Sequence, residues 1–452
     1  MTITINVREK TMVKPAEKTP SWALWLSNLD LITKPGHNPS FYIYRPSGEA
    51  DDPNFFNAVL LKEALSKVLV SFYPMAGRFK LDDSGRLEID CNGEGVLFVE
   101  ADTTAVVDDL GDFTPTSELR SLLVPTVDRS AGISSFPFLV LQVTYFKCGG
   151  VSLGVAIDHH IVDGFSGVHF INSWSETARG HELTLQPFLD RTLLRARNPP
   201  QLVFDRIEYQ SRHDQENSES QYAIESITVA NFEITKEQLN ILKAKANDAS
   251  VDEDGNTIRY STFHVLAAHI WKCACIARGI RDDQECRLYF AVSGRNSRLQ
   301  PPLPIGYFGN AFCRAVSVVV AGDLKSKPIW YSASRVHETL ARMDSDYLRS
   351  TIDYLELQSD KLAARYGPHL HMSPNLTITS WVRFSGHDTD FGWGQPLYIG
   401  PGDLTEGKSY IFGDARKDGR LRVAIALQSS HMEVFKELFF KDCKMSTTTF
   451  FQ

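Results

Sequence analysis

The chain has 452 residues, more than one hydrophobic core ordinarily supports, so two domains of roughly 200 residues each are expected. An apolar fraction of 43% and a charged fraction of 23% are those of an ordinary globular protein. The net charge of -8, with Lys and Arg scattered, provides no basic stripe and excludes nucleic acid as a partner.

Residues 1–20 mix Lys, Glu and Pro without an apolar run, so no secretory or membrane-spanning segment is expected. The longest apolar run, 136–146, is interrupted by Gln142 and Thr144. Seven cysteines at irregular spacings make neither a disulfide framework nor a metal pattern. A reducing, cytoplasmic setting without a metal is the expectation.

The aromatic and β-branched segment 41–46 ends in Pro and predicts a strand. Leu61, Ala64, Leu65, Val68 and Leu69 keep the 3.6 spacing of a core-facing helix, which Pro74 ends. Residues 86–90 and 96–100 flank a turn with two glycines and predict a hairpin. Segments 138–146 and 151–158, joined by Lys147-Cys148-Gly149-Gly150, predict a second strand pair. Phe165, Val168, Ile171 and Trp174 then recur at helical spacing up to Gly180. Residues 195–223 form a polar connection whose core, 211–221, has the look of a mobile surface loop, dividing the chain into domains 1–194 and 224–452.

The second half restarts with a strand over 224–234, followed by a helix to about residue 249 under a capping box of Thr235 and Gln238. Ser261 and Thr262 open a helix over 263–277, and 288–292 and 315–321 are apolar enough for buried strands. Residues 410–412 and 421–427 flank Asp418-Gly419, a hairpin signal, and Ser430 with Glu433 predicts a capping box for a last helix through 440. Alternating strands and helices in both halves make the fold class α/β.

One stretch carries chemistry: Ile157-Asp158-His159-His160-Ile161-Val162-Asp163-Gly164. Strand parity puts His159 at the end of the apolar row Val151, Leu153, Val155, Ile157. Desolvation there disfavours imidazolium, leaving a neutral ring that can take a proton. Asp163 either accepts a hydrogen bond from that ring or forms a salt bridge that shapes the turn, and Gly164 fits a positive φ or a close approach. A histidine satisfied within the fold is the competing reading, since the H-x-x-x-D-G pattern arises by chance roughly 0.05 times in such a chain. His160, on the opposite face, reads as structural. No nucleophile elbow or HExxH is present, which favours direct transfer between two bound substrates.

With Asp390-Phe391-Gly392-Trp393-Gly394, this stretch resembles the paired signatures of the plant BAHD acyltransferases. The resemblance runs on through Phe72-Tyr73-Pro74-Met75-Ala76-Gly77-Arg78, Tyr307-Phe308-Gly309-Asn310 and Thr379-Ser380-Trp381-Val382-Arg383. Residues 89–98 and 190–197 are similar to the branch that acts on shikimate and quinate. What this resemblance implies is two chloramphenicol-acetyltransferase-like domains, each a mixed sheet with helices, with the active-site channel at their interface and a segment near 370–400 returning to the first sheet. It implies a monomer with no cofactor beyond a CoA thioester as co-substrate, a hydroxycinnamoyl-CoA donor, and a hydroxyl acceptor, shikimate or quinate, in phenylpropanoid and lignin metabolism.

By the same resemblance His159 is the general base and the Trp381 indole steadies the oxyanion. Thr379 holds the acceptor, and Ser40 and Tyr42 line the phenolic end of the acyl pocket. Asp163, with Arg295 as a candidate partner, belongs to the scaffold together with Gly164, Asp390, Gly392, Trp393 and Gly394. For the two tryptophans and for Ser40 and Tyr42 the competing reading is plain packing. The acceptor's carboxylate is gripped in that branch by an arginine directly before a glycine; here Tyr366 stands there and Arg365 one residue earlier, so Arg365 is the candidate handle. Transfer to an aromatic 2-hydroxy acid, as in rosmarinate synthesis, and a catalytically silent CoA- or partner-binding homologue are the alternatives.

Overall fold

The computed structural model describes residues 3–46, 55–209, 226–247, 258–296, 298–358 and 368–444. Fifteen strands among these form two six-stranded mixed sheets and one small sheet. The first runs β1 (Asn6–Val13), β6 (Val96–Thr103), β7 (Leu139–Phe146), β8 (Val151–Asp158), β3 (His37–Tyr44), β13 (Tyr398–Pro401). The second runs β11 (Phe312–Val320), β10 (Glu285–Ser293), β12 (Leu376–Ser380), β14 (Lys408–Gly413), β15 (Leu421–Gln428), β9 (Ile227–Ile234). The small sheet is β2 (Ala23–Trp25), β5 (Leu87–Asp90), β4 (Arg78–Leu81). Strand β13, from late in the chain, pairs antiparallel with β3 and ties the second half to the first sheet.

The helices are α1 (Asn28–Leu31), α2 (Ala58–Ser71), α3 (Ser117–Leu123), α4 (Gly164–Ala178), α5 (Lys236–Asn247), α6 (Thr262–Ala277), α7 (Ala321–Ser326), α8 (Ile329–Arg342), α9 (Ser345–Leu357) and α10 (Ser429–Lys441). The apolar stripes of the longer helices bury against one face of each sheet, while Leu119 and Leu123 of α3 lie on the other. The predicted row of α2, Leu61, Ala64, Leu65, Val68 and Leu69, is fully buried beside Trp174 of α4, each leucine contributing about 2 kcal/mol. In the second half α5, α6, α8 and α10 cover the second sheet around Trp271, Phe435 and Phe439. A third cluster joins the opposite faces of the two sheets, with Phe41 and Ile43 of β3 meeting Phe412, Ala424 and Ala426.

Several expectations are met in detail. Strands β7 and β8 form the predicted antiparallel pair, and β14 and β15 the pair around Asp418-Gly419. Thr235 and Gln238 make their reciprocal capping bonds ahead of α5. Two expectations fail. Residues 86–90 and 96–100 do not pair: β5 lies in the small sheet and β6 in the first large one. The hairpin is instead β4–β5, closed by the nearer turn, where Asp82 N donates to Arg86 O and Gly85 N to Asp82 O. Gly95 is meanwhile drawn so close to Val13 that a Cβ would lie 2.4 Å from its carbonyl oxygen. The capping box of Ser430 and Glu433 is also absent: α10 starts two residues earlier, with Gln428 at the cap and no side-chain capping bond. Ser429 there bonds Ser226 and Thr228 of the neighbouring strand segment, an edge-to-edge tie that sequence spacing does not reveal.

The first part of the polar connection is packed down. Arg197 donates from N and Nε to Asp353 of α9, and Arg206 and Glu208 are buried. Residues 211–221, Ile224 and residue 249 lie outside the described residues.

Candidate active site

His159 follows directly on β8, whose apolar row Val151, Leu153, Val155 and Ile157 lies in the first core. Its backbone is held on both sides: N donates to Gly36 O at 3.0 Å, and O accepts from Asn310 Nδ2 at 2.8 Å. Ring Nδ1 lies 3.1 Å from Val162 O. A carbonyl can only accept, so Nδ1 carries the proton and Nε2 is left with its lone pair. Burial pushes the pKa of the ring down, against the pull of Asp163, and keeps it neutral. The ring stacks, tilted by 35°, 5.9 Å from that of Phe312 at the start of β11.

Asp163 forms the salt bridge and not the ring contact. Its Oδ1 caps α4 by accepting from Ser166 N at 3.0 Å. Its Oδ2 accepts from Arg295 Nη1 at 2.6 Å and from Ala311 N at 3.0 Å. Burial alone would raise this carboxyl's pKa, but the Arg295 guanidinium outweighs it and holds the group below its ordinary value. Arg295 also reaches Ser166 Oγ, Tyr307 O and Gly309 O. One ion pair therefore locks the turn of the first half to the loops of the second.

Three residues of this scaffold escaped the sequence reading. Fully buried Arg191 donates to Ile161 O at 2.8 Å and lies 3.2 Å from Asp30, and Asp30 accepts from Asn310 N and Nδ2. Arg191 and Asn310 stand inside segments that carried the resemblance, but only the fold shows that they grip the histidine turn. Buried charges persist where they are paired in this way. His160 is buried with Nδ1 2.9 Å from Asp158, and Asp158 lies 2.8 Å from Arg129. Burial would raise the Asp158 carboxyl, but the His160 hydrogen bond and charge bring it down to about 2.

Strand register assembles the rest of the site. Phe312 of β11 stands opposite Ser293 of β10, and the parallel β10–β12 register, Phe290 to Ile378, carries on towards Trp381 just past β12. Ala291 and Ser293 are exposed although β10 has a neighbour on each side. They are small side chains between Phe312 on one side and Thr379 and Trp381 on the other, the flanking strands being about 10 Å apart from strand spacing. Trp381 packs edge-on to Tyr410 at 5.1 Å and beside Phe384 at 6.0 Å. Phe384 lies on Gly164, where a Cβ would come within 2.5 Å of the ring. Close approach, not positive φ, explains that glycine.

Ser40 and Tyr42 face the same way as the row that ends in His159, opposite Val155 and Leu153. Tyr42 is 2% exposed. The turn at Asp390 lies elsewhere. Asp390 Oδ1 accepts from Gly392 N at 2.7 Å and Gly394 N at 2.8 Å, with φ of +104° and +101° at the glycines. Phe391 packs on Trp174 at 4.7 Å and Trp393 on Phe56 at 5.2 Å. Trp174 is ten residues along α4 from Gly164, about 15 Å away. Arg365 and Tyr366 lie outside the described residues. Among those described, no three His, Cys, Asp or Glu side chains are grouped to hold a metal, and no helix is long and apolar enough to cross a membrane.

The profile of the Transferase family matches residues 3–442. A shikimate O-hydroxycinnamoyltransferase of Nicotiana tabacum is 55% identical over 441 residues, 96% of this chain and 99% of its own. A rosmarinate synthase of Plectranthus scutellarioides is 47% identical over 440 residues, 97% of this chain and 99% of its own. Among solved structures vinorine synthase aligns with a TM-score of 0.72 at 24% identity, over 95% of this chain and 96% of its own. That last likeness concerns the fold alone.

Proposed function

We propose, for a chain that belongs to the Transferase family of BAHD acyltransferases and is an acyl-CoA-dependent acyltransferase, that it moves a p-coumaroyl or caffeoyl group from CoA to a hydroxyl of shikimate or quinate. The observation that carries the mechanism is the neutral His159, protonated on Nδ1 by its bond to Val162 O and set beside Phe312 at the end of β8. Nε2 takes the proton of the acceptor hydroxyl as its oxygen attacks the thioester carbonyl. The tetrahedral oxyanion collapses and the C–S bond breaks. The imidazolium returns its proton to the departing CoA thiolate. An indole N–H from Trp381 would contribute about 3 kcal/mol by steadying the oxyanion.

The thioester is itself the activated group, so the reading uses no cofactor and needs one copy of the chain. Tyr42, buried on the face of the first sheet that ends in His159, suits the phenolic end of the acyl group. Seven free thiols support a cytoplasmic setting. The likeness to a rosmarinate synthase favours a second reading, transfer to an aromatic 2-hydroxy acid. Purified protein given p-coumaroyl-CoA with shikimate, quinate or hydroxyphenyllactate decides between them: a shikimate or quinate ester is expected. An ester of hydroxyphenyllactate alone selects the second reading, and CoA release without any ester defeats both.

A further inference from the structure

The histidine turn is held through its peptide groups. On the carbonyl side His159 O accepts from Asn310 Nδ2 at 2.8 Å, and His160 O and Ile161 O accept from Arg191 at 3.4 Å and 2.8 Å. Val162 O, the next in line, accepts from the ring Nδ1 of His159 at 3.1 Å. On the amide side His159 N donates to Gly36 O and Ile161 N to Asp158 O, both at 3.0 Å, and His160 N to the Asp158 carboxylate at 3.1 Å. The direction of Val162 O is therefore set by the carbonyls before it, which rest on Asn310 and Arg191, and by the anchored Asp163 after it.

Asn310 and Arg191 converge on one carboxylate, that of Asp30 in α1. Its Oδ1 accepts from Asn310 N and Nδ2, both at 2.9 Å, and lies 3.2 Å from Arg191 Nη1. Its Oδ2 accepts from Ser27 N at 2.8 Å and Ser27 Oγ at 2.7 Å, which fixes the carboxylate to the start of α1. Asp30, Arg191 and Asn310 are 0%, 1% and 0% exposed, so solvent does not screen the pair. One Nδ2 hydrogen of Asn310 points to Asp30 and the other to His159 O; a flipped amide would set its oxygen against a carboxylate and a carbonyl.

From this arrangement we infer that Asp30 is a positioning residue for the base: by aligning Asn310 and Arg191 it aims Val162 O at His159 Nδ1 and so keeps the lone pair on Nε2. A neutral imidazole exchanges between two tautomers, and the one that can accept a proton on Nε2 prevails only while Nδ1–H has its acceptor in place. Asp30 acts from another element and through two intermediaries, and its negative charge is matched by Arg191. Its effect is on which nitrogen carries the proton. The inference rests on the reading of His159 as the general base.

The test follows the tautomer directly, by 15N NMR of the full chain labelled at histidine, with His159 assigned from the signal lost in His159→Gln. Wild type should show a protonated Nδ1 and an unprotonated Nε2, whereas Asp30→Asn and Asn310→Ala should show the two tautomers mixed. In the same variants kcat for transfer from p-coumaroyl-CoA to shikimate should fall about 10- to 100-fold, part of what a general base contributes. The KM for p-coumaroyl-CoA should move less than about threefold, as befits a group that acts on the chemical step. Should Asp30→Asn not fold, Asn310→Ala gives the answer by itself, because it cuts the link to His159 O and leaves the Asp30–Arg191 pair in place. An unchanged tautomer in the folded variants overturns the inference even where kcat falls, and so does a kcat that holds. A wild type that forms no ester defeats the functional reading instead, and the tautomer comparison still decides whether Asp30 sets the ring.

Discussion

The turn around His159 and the turn around Asp390 are both organised by an aspartate that accepts backbone N–H groups, yet the two carboxylates answer to different parts of the molecule. Asp163 reaches across the junction to Arg295, 132 residues away, and to Ala311 N. Asp390 folds its own loop, accepting from Gly392 and Gly394 within four residues. The first turn can be correct only when both halves are in place, and it carries the histidine. The second is a local clasp that seats Phe391 and Trp393 on Trp174 and Phe56. Two motifs that look alike as strings of residues thus divide into one that couples the halves and one that anchors a loop.

The largest effect should come from the histidine itself. His159→Ala is expected to lower kcat for transfer from p-coumaroyl-CoA by about 10²- to 10⁴-fold with little change in melting temperature. A loss under about tenfold would show that the turn holds something other than the base.

Removing Arg295 tests the coupling. Arg295→Gln leaves Asp163 buried without its counter-charge and should destabilise the protein by about 3–5 kcal/mol in urea unfolding. The sign of the pH effect follows from the depressed Asp163 carboxyl: its stabilisation is present above the unfolded carboxylate value near 4 and is lost as pH falls through the lower folded value. The gap in stability between wild type and Asp163→Asn should therefore narrow below about pH 4; a gap that widens there would mean that Arg295 does not hold the charge.

Smaller effects sharpen the contrast. Asp390→Ala should cost about 1–3 kcal/mol through the two unmet N–H groups while leaving kcat within about threefold. Gly164→Ala should cost about 1–2 kcal/mol but lower kcat as well, because the new methyl displaces Phe384 and with it Trp381. If kcat fell for Asp390→Ala and held for Gly164→Ala, the division of roles would be reversed. The smallest effect is in the pH profile: with burial lowering His159, the acid limb of kcat/KM should lie below pH 6.5, the ordinary histidine value, and a limb at or above it would break the account of a desolvated base.

Much of this was legible in the residues. The alternating row ending in His159, the stripe of α2 and the capping pair ahead of α5 are local patterns with periods of 2 and 3.6, and each is found where the spacing puts it. Spacing failed where two local signals competed. The Gly-rich turn at 91–95 looked like a hairpin, but the turn at 82–86 closes one first, and the chain then crosses to another sheet. Ser430 and Glu433 had the right separation but began two residues too late.

The sequence by itself determined several of the strands and helices, α2, β7 and β8 among them, which face of β8 bears the histidine, and that a buried imidazole at a strand end would be neutral, because backbone sterics, side-chain periodicity and desolvation act within a few residues. Only the tertiary structure decided that Asp163 serves Arg295 and not the ring, that Arg191 and Asn310 hold the turn, and that Phe312, Ser293 and Trp381 share a row with Arg314, Ala291 and Thr379 beside it. Those facts rest on sheet register and on ion pairs that need burial to persist, and both are set when segments far apart in the chain exclude water together.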